Sequence, residues 1–131
     1  TIHNLKNKSN IVIKHNISNK EIIKYMKESD IAITAAGNTL YELCSLGIPS
    51  IIISHHKRQE KVARIFNIKN AAISLGIGKK LNDKRIRESL KQLINSEEIR
   101  RRLSKNSKAM IDGRGVIRVG EYIIKNLKKI E

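Results

Sequence analysis

The chain has 131 residues, 40% of them hydrophobic, and 27 lysines and arginines against 12 acidic residues give it a formal net charge of +15. This length suits one domain with an adequate core rather than two. No apolar run approaches the ~20 residues of a membrane span, no secretory signal is visible, and the single Cys44 excludes an internal disulfide. These features predict a globular protein of the reducing cytoplasm.

The positive charge makes nucleic-acid binding one candidate function. The basic residues are scattered, however, with only short clusters such as residues 100–102. Aromatic residues make up 3% of the chain, without tryptophan, so a stacking platform for single strands is poorly supplied. The composition favours a diffuse attraction to phosphate over specific nucleic-acid recognition.

The first predicted elements are a strand over residues 11–13 and a helix that begins after Ser18. Ser18 and Glu21 form the pattern of a capping box. The predicted buried side of this helix consists of Ile22, Ile23 and Met26. A turn at the carboxyl end of the strand would contain His15, Asn16 and Ile17.

Residues 30–54 predict one βαβ unit. A short apolar run at 31–33 leads into a turn of small residues at 35–39. A helix follows, with Leu40, Leu43 and Cys44 on one face, and it ends before Gly47 and Pro49. The run 51–53 does not alternate, so it reads as a strand that is buried on both faces.

The turn after the first strand of this unit is the candidate site. Open parallel sheets bind ligands at the carboxyl ends of their strands, where helices begin. Gly37 would let the backbone approach a ligand closely. Backbone amides of Asn38, Thr39 and Leu40, with the Thr39 hydroxyl, would then face an anion such as phosphate.

A second turn, after the strand at 51–53, carries several polar and basic side chains: His55, His56, Lys57, Arg58 and Gln59. These residues suggest either a metal or an anion. Adjacent histidines splay apart and no cysteine or carboxylate completes a spaced ligand set, so an anion pocket is favoured. We therefore expect no metal.

The rest of the chain predicts helices and one more strand. A helix at 58–67, with Val62, Ile65 and Phe66 inward, precedes a fourth strand at 70–75 and a Gly-x-Gly loop. Asn82 and Ser96 are predicted helix caps. The inward residues of the helix after Asn82 would be Ile86, Leu90, Leu93 and Ile94. An Asp112–Gly115 turn leads to a last amphipathic helix. The predicted fold is α/β, a Rossmann-like parallel sheet of about four or more strands flanked by helices.

The central unit also resembles a known group of enzymes. A Gly-x-Thr turn, then a glutamate, then Leu-Gly-x-Pro is similar to the donor-binding C-terminal half of GT-B nucleotide-sugar enzymes. The matching residues are Gly37, Asn38, Thr39, Glu42, Leu46, Gly47 and Pro49. MurG-type glycosyltransferases and PseG/SpsG-type UDP-sugar hydrolases share the pattern. The Asp112–Gly115 turn looks more like the PseG/SpsG branch.

This resemblance implies roles for individual residues. Gly37, Asn38 and Thr39 would bind phosphate, and Glu42 would accept the ribose hydroxyls. Lys57, Arg58 and Gln59 would lie beside the sugar or phosphate, although relatives often have Asn where this chain has Arg58. The loop of His15, Asn16 and Ile17 would lie against the base. Alternatively, Thr39 and Glu42 would form a capping box, and His15 would be a solvated loop residue.

The implied function is binding of the UDP part of an activated amino sugar. The whole enzyme would hydrolyse or transfer that sugar in polysaccharide biosynthesis, using acid and base residues of an N-terminal domain across the cleft. Because this chain shows no catalytic pair and begins at Thr1, we expect a donor-binding part of a longer protein, inactive by itself and without a cofactor. The alternatives are a separate subunit that docks on a partner chain, and a basic nucleic-acid-binding module.

Overall fold

The computed structural model describes residues 10–127. Six α-helices and three strands occur in these residues. In chain order they are α1 (Asn19–Glu28), β1 (Ala32–Thr34), α2 (Asn38–Leu46), β2 (Ser50–Ser54), α3 (Lys57–Ile68), β3 (Ile73–Ile77), α4 (Asp83–Asn95), α5 (Glu97–Met110) and α6 (Gly115–Leu127). A short 3-10 turn, Gly78–Lys80, follows β3.

The strands form one parallel sheet in the order β1-β2-β3, which confirms the predicted α/β class. Thr34 pairs with Ile52, and the Ala32 N–H donates a 2.9 Å hydrogen bond to the Pro49 carbonyl. Among residues 10–127, β1 and β3 each have a strand on one side only. In this part of the chain β2 is therefore the central strand.

The predicted number of strands was too high, because residues 11–13 do not form a strand. Their side chains are exposed, and a strand needs a hydrogen-bonded neighbour that the described residues do not supply. The strand predicted at 70–75 lies instead at Ile73–Ile77. Asn70 has a positive φ of 50°, and the Ala71 N–H bonds to the Phe66 carbonyl, so this segment ends α3 rather than starting β3.

Two layers of helices cover the sheet. On one face Ile52 packs with residues of α2 and α3, namely Leu40, Cys44, Ala63 and Phe66. On the other face Ile51 packs with Leu93 of α4 and Leu103 of α5. Both isoleucines are fully buried, which confirms that β2 is covered on both faces. Burial raises the pKa of the Cys44 thiol to about 11, so Cys44 is a core residue.

The predicted helix starts are confirmed by their caps. Ser18 and Glu21 form the complete capping box of α1, and the side chains of Asn82 and Ser96 cap α4 and α5. The predicted inward faces were partly wrong. Ile22, Ile23, Ile65 and Ile94 are 38–60% exposed, whereas Met26, Phe66 and Leu93 are buried. Val62 packs against the core beside Phe66, and Ile86 and Leu90 pack beside Leu93, so each of these apolar stripes is partly covered.

Helix α6 differs from the other helices in having no buried residue. Its apolar side chains are between 51% and 87% exposed: Val116, Ile117, Val119, Tyr122, Ile123, Ile124 and Leu127. The start of the helix is fixed by Asp112, which accepts from the Arg114 N–H and from the Arg118 guanidinium. An amphipathic helix with its apolar side uncovered is typical of a surface that another protein segment covers. Within residues 10–127 no helix has the length and apolar character needed to cross a membrane.

Candidate functional site

The first two strands bring their following turns to the same edge of the sheet. Because β1 and β2 are parallel neighbours, the turn after Thr34 lies beside the turn after Ser54. Helix α2 begins at Asn38 and helix α3 at Lys57, so two helix N-termini meet this edge. Each carries partial positive charge from its free N–H groups. Partial positive charge at this edge favours an anion, and the binding of one here stays a prediction.

The N-terminus of α2 is open to a ligand. Gly37 is its N-cap, and no side chain caps the helix. Among the described residues the N–H groups of Asn38 and Thr39 have no partner, whereas the Leu40 N–H bonds to the Gly37 carbonyl at 3.1 Å. A Cβ added at Gly37 would meet no heavy atom within 4 Å, so space is available there. Two of the three predicted amides are thus available, and Leu40 is not.

Glu42 lies one turn into α2 and is exposed. The capping-box alternative for Thr39 and Glu42 is wrong, because α2 begins two residues before such a box requires. In the described part of the chain the Glu42 carboxylate has no hydrogen bond and no ion pair. It lines a groove of about 450 Å³ between α1 and α2, next to Ile22 and Ser45. The carboxylate is free to accept hydroxyl groups from a ligand.

The second turn contains one internal hydrogen bond that the sequence did not indicate. Oε1 of Gln59 accepts from the His55 N–H at 2.9 Å, so the side chain folds back over the start of α3. This leaves the NH₂ group of Gln59 for another partner. His55, His56, Lys57 and Arg58 are exposed, and α3 has no side-chain cap. Residues 10–127 contain no group of three His, Cys, Asp or Glu side chains that could hold a metal.

The segment with His15, Asn16 and Ile17 lies in an irregular stretch before α1, with Asn16 at a φ of 53°. We expected this loop at the sheet edge because a strand at 11–13 would place it there. That strand is not formed, so the geometric reason for the placement is lost. A contact between this loop and the base remains an expectation from the resemblance alone.

Ser54 is a site candidate that the sequence reasoning missed. Its hydroxyl lies at the carboxyl end of β2, is 1% exposed, and has no hydrogen-bond partner in the described structure. A serine at the end of an apolar strand carries no sequence signal for this state, because burial and pairing depend on the surrounding helices.

Comparison with known proteins agrees with the α/β fold and identifies the family. Residues 3–115 match the family described as glycosyltransferase family 28 C-terminal domain. The spore coat polysaccharide biosynthesis protein SpsG of Bacillus subtilis (strain 168) is 34% identical to this chain over 94 residues. The aligned part is 72% of this chain and 28% of that protein. All predicted site residues lie within the matched range, and the resemblance inferred from the sequence is confirmed.

Proposed function

The chain belongs to the glycosyltransferase family 28 C-terminal domain family, and on this premise we propose that residues 1–131 form its nucleotide-sugar-binding domain. The enzyme would act in polysaccharide biosynthesis, the process for which the SpsG relative is named. The bound donor would be a UDP-sugar, and the sugar an amino sugar. The whole protein would release UDP by adding water at the sugar, or would transfer the sugar to an acceptor.

The free N-terminus of α2 is the observation that carries this proposal. A nucleoside diphosphate needs donors for its phosphate oxygens, and the Asn38 and Thr39 amides have no partner in residues 10–127. The open space at Gly37 allows phosphate to approach the backbone closely. The neighbouring cations Lys57 and Arg58 are exposed at the same edge and add favourable charge.

The remaining parts of the donor have candidate partners nearby. The Glu42 carboxylate, which has no partner within residues 10–127, would accept the two ribose hydroxyls. The NH₂ group of Gln59 would donate to the sugar or to the distal phosphate. His15, Asn16 and Ile17 would lie beside the base, as the resemblance implies. No metal or cofactor is needed for this binding mode.

A second protein part would complete the enzyme. The apolar side chains of α6 are exposed, and burying them would release about 25 cal/mol for each Å² removed from water. We propose that an N-terminal domain, or a separate partner subunit, covers this helix and supplies the acid and base residues across the cleft. The aligned 28% of the SpsG relative leaves room for such a domain in that protein.

Calorimetric titration tests the proposal and separates it from nucleic-acid binding. We expect UDP to bind more tightly than ADP. A duplex-binding protein with six or more phosphate contacts should lose roughly 10³-fold in affinity between about 50 and 200 mM salt. UDP held by backbone amides should lose far less. Tight DNA binding without a preference among nucleotides would overturn the proposal.

A further inference from the structure

Two serines of β2 are buried, but within residues 10–127 only one of their hydroxyl groups has a hydrogen-bond partner. Ser50 is fully buried and donates from Oγ to the Ile48 carbonyl at 2.8 Å. Ser54 is 1% exposed, and its Oγ is unpaired within the described residues. A buried hydroxyl without a partner is unfavourable, and each such group in a native protein needs an explanation, such as local strain, a catalytic role or a bound water, ion or ligand.

The position of Ser54 follows from the alternation of side chains along the strand. Ile52 packs against α2 and α3, so Ser54, two residues later, lies on the same face and nearer the carboxyl edge. The pairs Ile52–Ser74 and Ser54–Ile77 show that the extra residue of the bulge belongs to β3. The alternation of β2 is therefore undisturbed.

The helix N-termini lie over this end of the strand. In a parallel βαβ unit each helix runs back along the sheet and starts at the carboxyl edge. Ser54 thus lies beneath the starts of α2 and α3, neither of which has a side-chain cap. Gly78, the first residue of the 3-10 turn after β3, also lies near this point, since a Cβ added there would be 3.2 Å from Cγ2 of Ile53 and 3.8 Å from the Ser54 carbonyl oxygen. The unpaired hydroxyl, at the end of β2, and the free amides of α2, which begins after β1, therefore lie at the same carboxyl edge of the sheet.

We propose that Ser54 is a phosphate-binding residue, whose hydroxyl donates a hydrogen bond to the diphosphate of a nucleotide seated between the N-termini of α2 and α3. This inference rests on the proposed function, since it assigns one more contact to the same site. Within residues 10–127 no protein group accepts a hydrogen bond from the Ser54 hydroxyl, and a phosphate oxygen of the ligand is its acceptor. The two helix N-termini hold the same anion. A nucleoside without phosphate makes no use of this hydroxyl.

Ser54→Ala and Ser50→Ala form a matched pair on one strand. In the full-length protein we expect Ser54→Ala to leave the unfolding midpoint unchanged or higher, and to weaken UDP binding about ten- to a hundredfold. Uridine should bind equally to parent and variant. Ser50→Ala should lower the midpoint and leave UDP affinity unchanged. Ser54→Cys, similar in size with a weak donor, should also lose UDP affinity.

The outcomes separate this inference from the function on which it rests. If the parent does not bind UDP, the proposed function fails and the inference fails with it. If the parent binds UDP and Ser54→Ala binds it equally well, only the inference is overturned. A fall in the unfolding midpoint of Ser54→Ala equal to that of Ser50→Ala would also overturn it, because the hydroxyl would then be paired without a ligand.

Discussion

Oε1 of Gln59 accepts a hydrogen bond of 2.9 Å from the backbone N–H of His55, four residues earlier. The bond fixes the Gln59 side chain over the start of α3, beside the open turn of α2. The amide oxygen of Gln59 is therefore bonded to the protein backbone, and its NH₂ group is available to a ligand. The two ends can be tested separately.

Gln59→Glu keeps an acceptor for the His55 N–H but removes the NH₂ donor and adds a negative charge. We expect little change in the free energy of unfolding, since an acid in the first helical turn is favourable, but weaker binding of UDP-sugar. Gln59→Ala should cost about 1 kcal/mol of stability through loss of the hydrogen bond from the His55 N–H. Urea unfolding and calorimetric titration measure the two effects. Equal UDP-sugar affinity in Gln59→Glu and parent would show that the NH₂ group has no ligand role.

Glu42→Ala should weaken UDP binding by about 1.5–3 kcal/mol, or roughly ten- to a hundredfold, because it removes charge-assisted hydrogen bonds to ribose. Glu42→Gln should lose less, since the amide oxygen still accepts one hydroxyl. Stability should change little, because Glu42 is exposed and is not part of the α2 cap. Comparison of UDP with 2′-deoxy-UDP is the control. The parent should prefer UDP, and a parent without that preference would place the ribose contact elsewhere.

The 131-residue chain by itself should fold and bind nucleotide but should not turn over UDP-sugars. The reason is the lack of a paired acid and base at the described site, where Glu42 would be occupied by ribose. A coupled assay for released UDP measures this. Turnover at the rate of a complete enzyme would contradict the proposed need for a second domain.

Ile123→Glu on α6 should weaken association with the proposed partner domain, because it places a charge in the surface to be buried. Ile123 is 51% exposed, so the stability of the isolated chain should change little. Ile94→Glu is a matched control on α4, where Ile94 is 60% exposed. The two variants should differ in a binding assay with the separately produced N-terminal part. Equal effects would contradict a specific role of α6.

Lowering the pH should destabilise the first turn of α6. The Arg118 side-chain hydrogen bond, with help from the Arg114 N–H, lowers the pKa of Asp112 from 3.8 to about 2. A carboxyl whose pKa is lowered by folding contributes stability above its unfolded pKa and loses it as pH falls through the folded value. Helix content followed by circular dichroism should therefore fall between these two pH values. The pH-dependent change should be smaller in Asp112→Asn.

Local signals in the sequence were sufficient for several parts of this structure. Ser18, Asn82 and Ser96 marked helix starts because an N-cap bond involves only residues within one turn. Gly37 marked the start of α2 because a strand, a turn and a helix adjoin there. The strand at 11–13 was wrong because strand formation depends on a neighbour, which local apolar character does not reveal. The burial of the Ser54 hydroxyl, and its lack of a partner within the described residues, could likewise not be predicted from the sequence, since both depend on the helices that cover the strand.

The outer edge of β1 has a consequence for handling the isolated chain. Ala32 bonds toward β2, so Ile33, next in the strand, directs its backbone groups away from the sheet. Its side chain is 49% exposed. Within residues 10–127 no strand pairs with this side of β1, and such an edge is a template for another strand, including one from a second copy. We expect a preparation of the isolated chain to be monomeric only when dilute, with an apparent mass in light scattering that rises with concentration.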